Sequence, residues 1–210
     1  AAYAVPADYL FGIANPALWT QVKTTRIQGG YRFNQQRIEQ SGAATAQNNG
    51  KLDGAALLFA IDTGRQIAAS IGVFPSSSVN YTSLRRFQIE LPTVGVLDGS
   101  TTYRGGGGMV TAYAGGATRI AQGVAVGAAV LYGFGLISDQ TETNIQSEAS
   151  QRAVSTQNDQ IQTLGLRIGL SAQTTSGFGA GIAATMFGPL RVARIQNYQS
   201  FPSGQTTPSL

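Results

Sequence analysis

The stretch Gly123–Ile137, GVAVGAAVLYGFGLI, decides the fold class of this 210-residue chain. Its larger side chains share one parity and its small ones share the other, with Leu131 and Ile137 as larger exceptions. A period of two is that of a β-strand. A membrane-spanning helix needs about 20 apolar residues, and this stretch is shorter and interrupted by glycines. The pattern therefore predicts a strand with a bulky face and a small face.

The same alternation recurs along the chain, for example in Leu164–Ala172, Phe178–Met186 and Ile67–Val73. It predicts an all-β, antiparallel fold with seven long strands, at roughly 24–37, 53–62, 65–75, 107–120, 123–138, 160–174 and 177–188. Arg85–Leu91 is a candidate for a short eighth strand inside a loop.

Short and long connections alternate between these strands. Tight turns are predicted at Asp62–Arg65, Ala121–Gly123 and Thr175–Gly177, and long polar loops at Gln35–Asp53, Pro75–Gly106 and Ser138–Gln160. This alternation of short and long connections is typical of outer-membrane barrels, which have brief turns at one end and long loops at the other. A transmembrane β-barrel, or the N-terminal portion of one, is favoured. A soluble sandwich would show the same alternation.

Composition excludes several function classes. The chain contains neither histidine nor cysteine, so it has no His-based triad, Cys nucleophile or zinc finger. Charged residues make up only 11%, and the net charge of +4 is a small excess rather than a dense basic field, which argues against nucleic-acid binding. No enzyme activity, cofactor or metal is expected.

The N-terminal stretch Asn15-Pro16-Ala17 is followed by the first strand-like run. It resembles the asparagine–proline–alanine motif of the FadL-type outer-membrane transporters of hydrophobic molecules. Val73–Tyr81, Tyr103–Gly108 and Tyr132–Gly135 look similar to a FadL-like branch.

The resemblance implies a plug-like segment at 1–19 and β-barrel strands and loops at 20–210. It implies passive uptake of hydrophobic small molecules in the outer membrane of a Gram-negative type envelope. The expected partners are outer-membrane lipid, a hydrophobic small molecule and other envelope or surface proteins. Because that family has more strands than this chain supplies, the simplest interpretation is the N-terminal half of a larger barrel; a small protein in its own right is the alternative.

Four arginines, Arg26, Arg32, Arg119 and Arg167, lie within predicted strands opposite apolar residues or beside small ones. An arginine on a lipid face costs about 2–4 kcal/mol at mid-depth, so these side chains are expected to face a lumen or lie near an interface. They are candidate ligand-binding or gating residues together with Asn15, Pro16 and Ala17. Structural ion pairing is the alternative interpretation, because charges inside a barrel usually have partners.

Two other functions stay open at this point. One is a PorV-like barrel that serves as a protein-docking platform of a secretion or surface complex. The other is a soluble β-rich subunit of a surface layer or filament. In the barrel interpretation, the large residues of each strand point outward and glycines point inward. Ala1–Leu18 is expected to lie against the sheet, because its apolar residues would otherwise be exposed to water.

Overall fold

The computed structural model describes residues 14–40, 43–92, 95–146, 151–174, 176 and 178–201. They form one 3-10 helix, Pro16–Gln21, and eight strands. The strands are β1 Arg26–Gln40, β2 Ala43–Asp62, β3 Ile67–Leu91, β4 Gly95–Ala121, β5 Val124–Gln146, β6 Gln151–Gln173, β7 Gly179–Phe187 and β8 Arg191–Phe201. The predicted all-β fold is confirmed.

The strands are hydrogen-bonded in the order β1-β2-β3-β4-β5-β6-β7, and β8 also pairs with β6. Pairing is antiparallel in the β1–β2, β2–β3, β6–β7 and β6–β8 ladders. Among the described residues β1 and β7 do not pair with each other, so the sheet is not closed there.

The short turns lie at one end of the sheet, as predicted. Asp62 Oδ1 accepts hydrogen bonds from the backbone N–H groups of Gly64 and Arg65, both at 2.9 Å, which fixes the first turn. The turn regions also contact one another: Gln173 N donates to Gly123 O at 2.7 Å, and an Arg119 Nη donates to Gly64 O at 3.3 Å. The third turn lies partly outside the described residues.

The prediction of three long polar loops was wrong. Most of these residues continue the strands instead, and β4 alone is 27 residues long. Polar cross-strand pairs explain the extension: Thr101 Oγ1 lies 3.1 Å from Thr143 Oγ1, and Arg104 forms an ion pair with Glu142. Such pairs stabilise a sheet without any apolar face.

The strand boundaries differ for the same reason. The predicted eighth strand, Arg85–Leu91, is the end of β3, and the eighth strand is β8. Nearly all residues of β8 are exposed, so it lacks the alternation of buried and exposed positions that identifies a strand.

The chain divides into two compact units. Unit 1 contains the described residues within Ala1–Ser76, Val110–Gly133 and Thr163–Pro189. Unit 2 contains those within Ser77–Met109, Phe134–Gln162 and Leu190–Leu210. The core cluster lies in unit 1 and consists of Trp19, Ala56, Leu58, Ala68, Tyr113, Ala117, Ala129 and Leu131.

The sheet of unit 1 has two different faces. The covered face packs against the 3-10 helix, and its buried residues are Ala56, Leu58, Ala68, Ser70, Thr111, Tyr113, Ala117, Ala125, Ala129, Leu131 and Ser171. The open face is formed by the residues of opposite parity, which include Leu57, Phe59, Ile71, Val130, Tyr132, Leu164, Leu166, Ile168, Leu170 and Ile182, all exposed. The sequence alternation predicted this division.

Among the described residues, no helix is long and apolar enough to cross a membrane.

Candidate functional site

The N-terminal turn is built around Asn15, which precedes the 3-10 helix in an extended conformation (φ −135°, ψ 105°). Its Oδ1 accepts a hydrogen bond from Ala17 N at 3.0 Å, and its Nδ2 donates to the Leu170 carbonyl at 3.1 Å. Pro16 suits the first helical position because its fixed φ is preorganised and its missing N–H is not needed there. This turn is therefore both capped and tied to β6.

The turn is fully enclosed: Asn15 and Ala17 have no exposed surface, and Trp19 is only 2% exposed. Two glycines make this close approach possible. A Cβ added at Gly169 would overlap Asn15 Oδ1, and one added at Gly127 would lie 2.5 Å from the Pro16 carbonyl carbon. Glycine permits the chain to approach a strand this closely. The predicted packing of the N-terminal segment is confirmed for its described part, residues 14–18.

An aromatic group lies beneath the helix. The Trp19 and Tyr113 rings stack with centroids 6.0 Å apart, and Phe74 packs against Tyr113 at 6.1 Å. The Tyr113 hydroxyl lies 3.1 Å from Ser70 Oγ. The Trp19 Nε1 and Thr111 Oγ1 atoms are buried without a hydrogen-bond partner in the described part of the chain. The sequence did not predict this group, whose members lie far apart along it.

The four candidate arginines are not brought together. Arg32 pairs with Asp53 at 2.9 Å, Arg167 Nε donates to Thr185 Oγ1 at 2.8 Å, and Arg119 bonds a turn carbonyl. Arg26 is at the exposed beginning of β1. All four share the parity of the covered face, but each lies in its own surroundings. A shared ligand-binding role for them, and gating by Asn15, Pro16 and Ala17, stay predictions.

The open face of unit 1 is a continuous apolar surface with two shallow depressions. One, of about 810 Å³, is lined by residues that include Ile61, Val126, Ile168 and Ile182. The other, of about 590 Å³, has Leu57, Ile71, Val130 and Tyr132 among its lining residues. Exposed apolar surface of this extent marks contact with a membrane or a partner.

The described ion pairs of unit 2 involve Glu142 and Asp159. Glu142 lies between Arg104, at 3.3 Å, and Arg152, at 2.9 Å. Desolvation raises the pKa of Glu142, but a hydrogen bond from Asn144 and the two guanidinium groups outweigh it, so the pKa lies below its usual range.

A second pair in unit 2 joins the paired strands β6 and β8. Two guanidinium nitrogens of Arg194 donate to the two carboxylate oxygens of Asp159 at 2.7 and 2.8 Å. These hydrogen bonds lower the pKa of Asp159 and raise that of Arg194. In the same unit, the Tyr81 hydroxyl donates to Asp139 Oδ1 at 2.9 Å. Arg194 and Tyr81 are exposed and Asp159 and Asp139 are partly buried, an arrangement that suits contact with water or polar protein surfaces.

A family model described as BamG matches residues 7–186. No curated protein and no solved structure matches the chain.

This match overturns the resemblance to FadL-type transporters, because BamG is a family of a different kind. The prediction of passive uptake of hydrophobic small molecules, which depended on that resemblance, is wrong. Neither the PorV-like docking barrel nor the soluble surface-layer subunit is supported. The shared motifs have a general physical origin. Asn-Pro-Ala starts a capped helical turn in any fold, and Tyr-Gly-Phe-Gly repeats the large–small alternation of a two-faced strand.

Two broader expectations agree with the match, namely association with the outer membrane and interaction with other envelope or outer-membrane proteins. The match spans most of the chain, including the N-terminal turn, the core cluster of unit 1 and the strands up to the end of β7. The chain therefore belongs to the BamG family.

Proposed function

We propose that this chain is a non-catalytic β-sheet protein of the outer membrane that works with the machinery assembling outer-membrane proteins. The family match over residues 7–186 carries the proposal, since BamG points to a role associated with that machinery. The absence of histidine and cysteine from the sequence supports a non-catalytic role.

The open face of unit 1 supports contact with lipid. From Val124 to Gly133, β5 rises about 30 Å at about 3.3 Å per residue. A strand tilt of about 40° reduces this to about 23 Å, close to the height of about 25 Å of the apolar band of an outer-membrane sheet. The large exposed side chains of the open face, such as Leu57, Ile71, Val130 and Ile168, carry no charge. Lipid is the contact that this surface fits.

Unit 2 supports contact with water and proteins. The arginines of its ion pairs are exposed while Glu142 and Asp159 are largely covered, and Arg85 and Arg86 are exposed neighbours on β3. Charged and polar groups at a protein–protein contact contribute more to the specificity of binding than to its affinity.

The test is to deplete the protein in its own cells and to measure how much of the major outer-membrane proteins reaches the folded, heat-modifiable form. We expect the folded fraction to fall and unfolded precursors to accumulate. Complementation should succeed with the wild type and with Ile195→Arg, a change at an exposed position of unit 2. It should fail with Ile168→Arg, which places the same charge on the open face. An unchanged folded fraction after depletion would refute an assembly role.

A further inference from the structure

The free edge of β7 is unlike other exposed sheet edges. β7 pairs with β6 along its nine residues, and among the described residues no strand pairs with its other side. Natural edge strands are protected by charges, prolines, bulges or brevity. The sequence of β7, GAGIAATMF, contains no charge and no proline, and its register with β6 is continuous from Gly179 to Phe187. The protecting residues Pro189, Arg191 and Arg194 come only after β7, where β8 pairs with the rest of β6.

The edge at the other end of the strand order is protected. β1 carries Arg26 and Arg32, and its register with β2 shifts between Gly30 and Tyr31. Arg32 is held there by Asp53. Among the described residues, β7 lacks the protection that β1 has, which leaves its outward backbone groups available for pairing.

The hydrogen bonds at the two ends of the β6–β7 ladder show which backbone groups are available. Thr174 N donates to Phe178 O, and Gly188 N donates to Leu164 O, both at 2.8 Å. Because directions alternate along an antiparallel strand, residues of that parity, such as Ile182 and Ala184, direct their backbone groups to β6. The N–H and C=O groups of Gly179, Gly181, Ala183, Thr185 and Phe187 therefore point to the free edge.

The side chains of β7 define what can bind there. Ile182 and Met186 are 69% and 60% exposed on the open face. Nine residues is also about the length of a membrane-crossing strand. In a bilayer, unpaired backbone groups along such a length are strongly disfavoured. An incoming strand would satisfy these groups and continue the apolar face.

We propose that the β7 edge accepts an uncharged, membrane-type β-strand from another outer-membrane β-protein. This inference rests on the proposed function and names its contact: Gly181, Ala183 and Thr185 supply the backbone groups, and the open-face side chains select a strand with apolar residues at alternate positions.

Cross-linking in cells tests the proposal with the complete protein in its membrane. A photoreactive residue replaces Ala184, an open-face position of β7, and in a matched control it replaces Ala128, an open-face position of β5 with strands on both sides. We expect Ala184 to cross-link to another polypeptide within a segment of alternating apolar residues. The control at Ala128 should give no such adduct.

A second change distinguishes strand pairing from mere proximity. Ala183→Pro removes an N–H that points away from β6 and leaves the β6–β7 ladder intact, whereas Ala183→Ser keeps the N–H. The proline should lower the yield at Ala184 roughly tenfold, because an outward hydrogen bond is lost and the ring occupies the edge. The serine should leave the yield unchanged. Retained trypsin resistance shows that the variants fold.

Three outcomes would overturn the proposal: adducts mapping within the same polypeptide, no polypeptide adduct, or equal yields with serine and proline. Hydrogen exchange on the isolated protein in detergent gives an independent reading. The amides of Gly181, Ala183 and Thr185 should exchange much faster than those of Ile182 and Ala184, and equally slow exchange would show that this chain already pairs its own edge. Depletion tests the assembly role separately. If depletion impairs assembly but Ala184 gives no adducts, the edge contact is refuted and the assembly role is not.

Discussion

Gly169→Ala should displace the N-terminal turn from the sheet. The added Cβ would overlap Asn15 Oδ1 and lie 2.9 Å from Pro16 Cδ, neither of which is the free end of a flexible side chain. Over-packing of this kind typically costs about 1–3 kcal/mol. Moving the turn also weakens the Asn15 hydrogen bonds to Ala17 N and Leu170 O, at about 1 kcal/mol each. We therefore expect a loss of about 2–4 kcal/mol.

The single tryptophan of the chain makes this loss measurable. Trp19 is 2% exposed and lies in the displaced segment, so its emission should shift to longer wavelength in the folded variant. Denaturant unfolding in detergent, followed by the same fluorescence, should show a lower midpoint. The matched control is Gly116→Ala, where an added Cβ would meet only the Ala68 carbonyl oxygen at 3.5 Å, an ordinary contact.

A double-mutant cycle tests the proposed cause. Asn15→Ala removes the atom that the new Cβ meets first, so it should cost less in the Gly169→Ala background than in the wild type, a coupling of about 1 kcal/mol. If Gly169→Ala behaves like Gly116→Ala in midpoint and emission, the turn is not held against β6 as described.

Two further predictions concern the open face and unit 2. Ile168→Arg should impair membrane assembly at a cost of about 2–4 kcal/mol near the bilayer midplane, whereas Ile195→Arg should assemble normally; fractionation and heat modifiability measure both, and normal assembly of Ile168→Arg would exclude a lipid-facing surface. The pKa of Asp159 is lowered in the folded state by Arg194, so its contribution to stability is present above the unfolded pKa and is lost as pH falls through the folded pKa. Asp159→Asn should therefore make the unfolding midpoint less dependent on pH in the acidic range. Denaturant midpoints measured from neutral to strongly acidic pH test this. An unchanged pH dependence would show that the pair contributes nothing to stability.

The sequence predicted the two faces of unit 1 because large and small residues alternate wherever one face packs closely. It predicted the enclosed Asn-Pro turn because an apolar segment with a capping residue is stable only when covered. It did not predict the contact of Trp19 with Tyr113, because pairing across distant strands depends on register that periodicity does not contain.

The polar parts of the strands were missed for a different reason. The ladder between Thr101 and Thr143 buries Gly99, Thr101 and Gly105 rather than large apolar side chains, and β8 is exposed along nearly all its length. Cross-strand polar pairs and backbone hydrogen bonds hold these segments, and neither gives a hydropathy signal. The resemblance to the FadL-type family identified the wrong family because its motifs are only three or four residues long. Short motifs that favour a capped turn or a two-faced strand recur in unrelated sheets.

The bond between Asn15 and Leu170 has a consequence for the order of folding. Neighbouring strands in the order from β1 to β7 are neighbours in sequence, so each hairpin can add to the last with little loop-closure entropy. The Asn15 contact is different, because it joins residues 155 positions apart. It can form only after β6 has emerged and taken its place. An incomplete or stalled chain would keep Trp19 and its neighbours exposed to water, so closure of the N-terminal turn reports that the sheet of unit 1 has been built as far as β6.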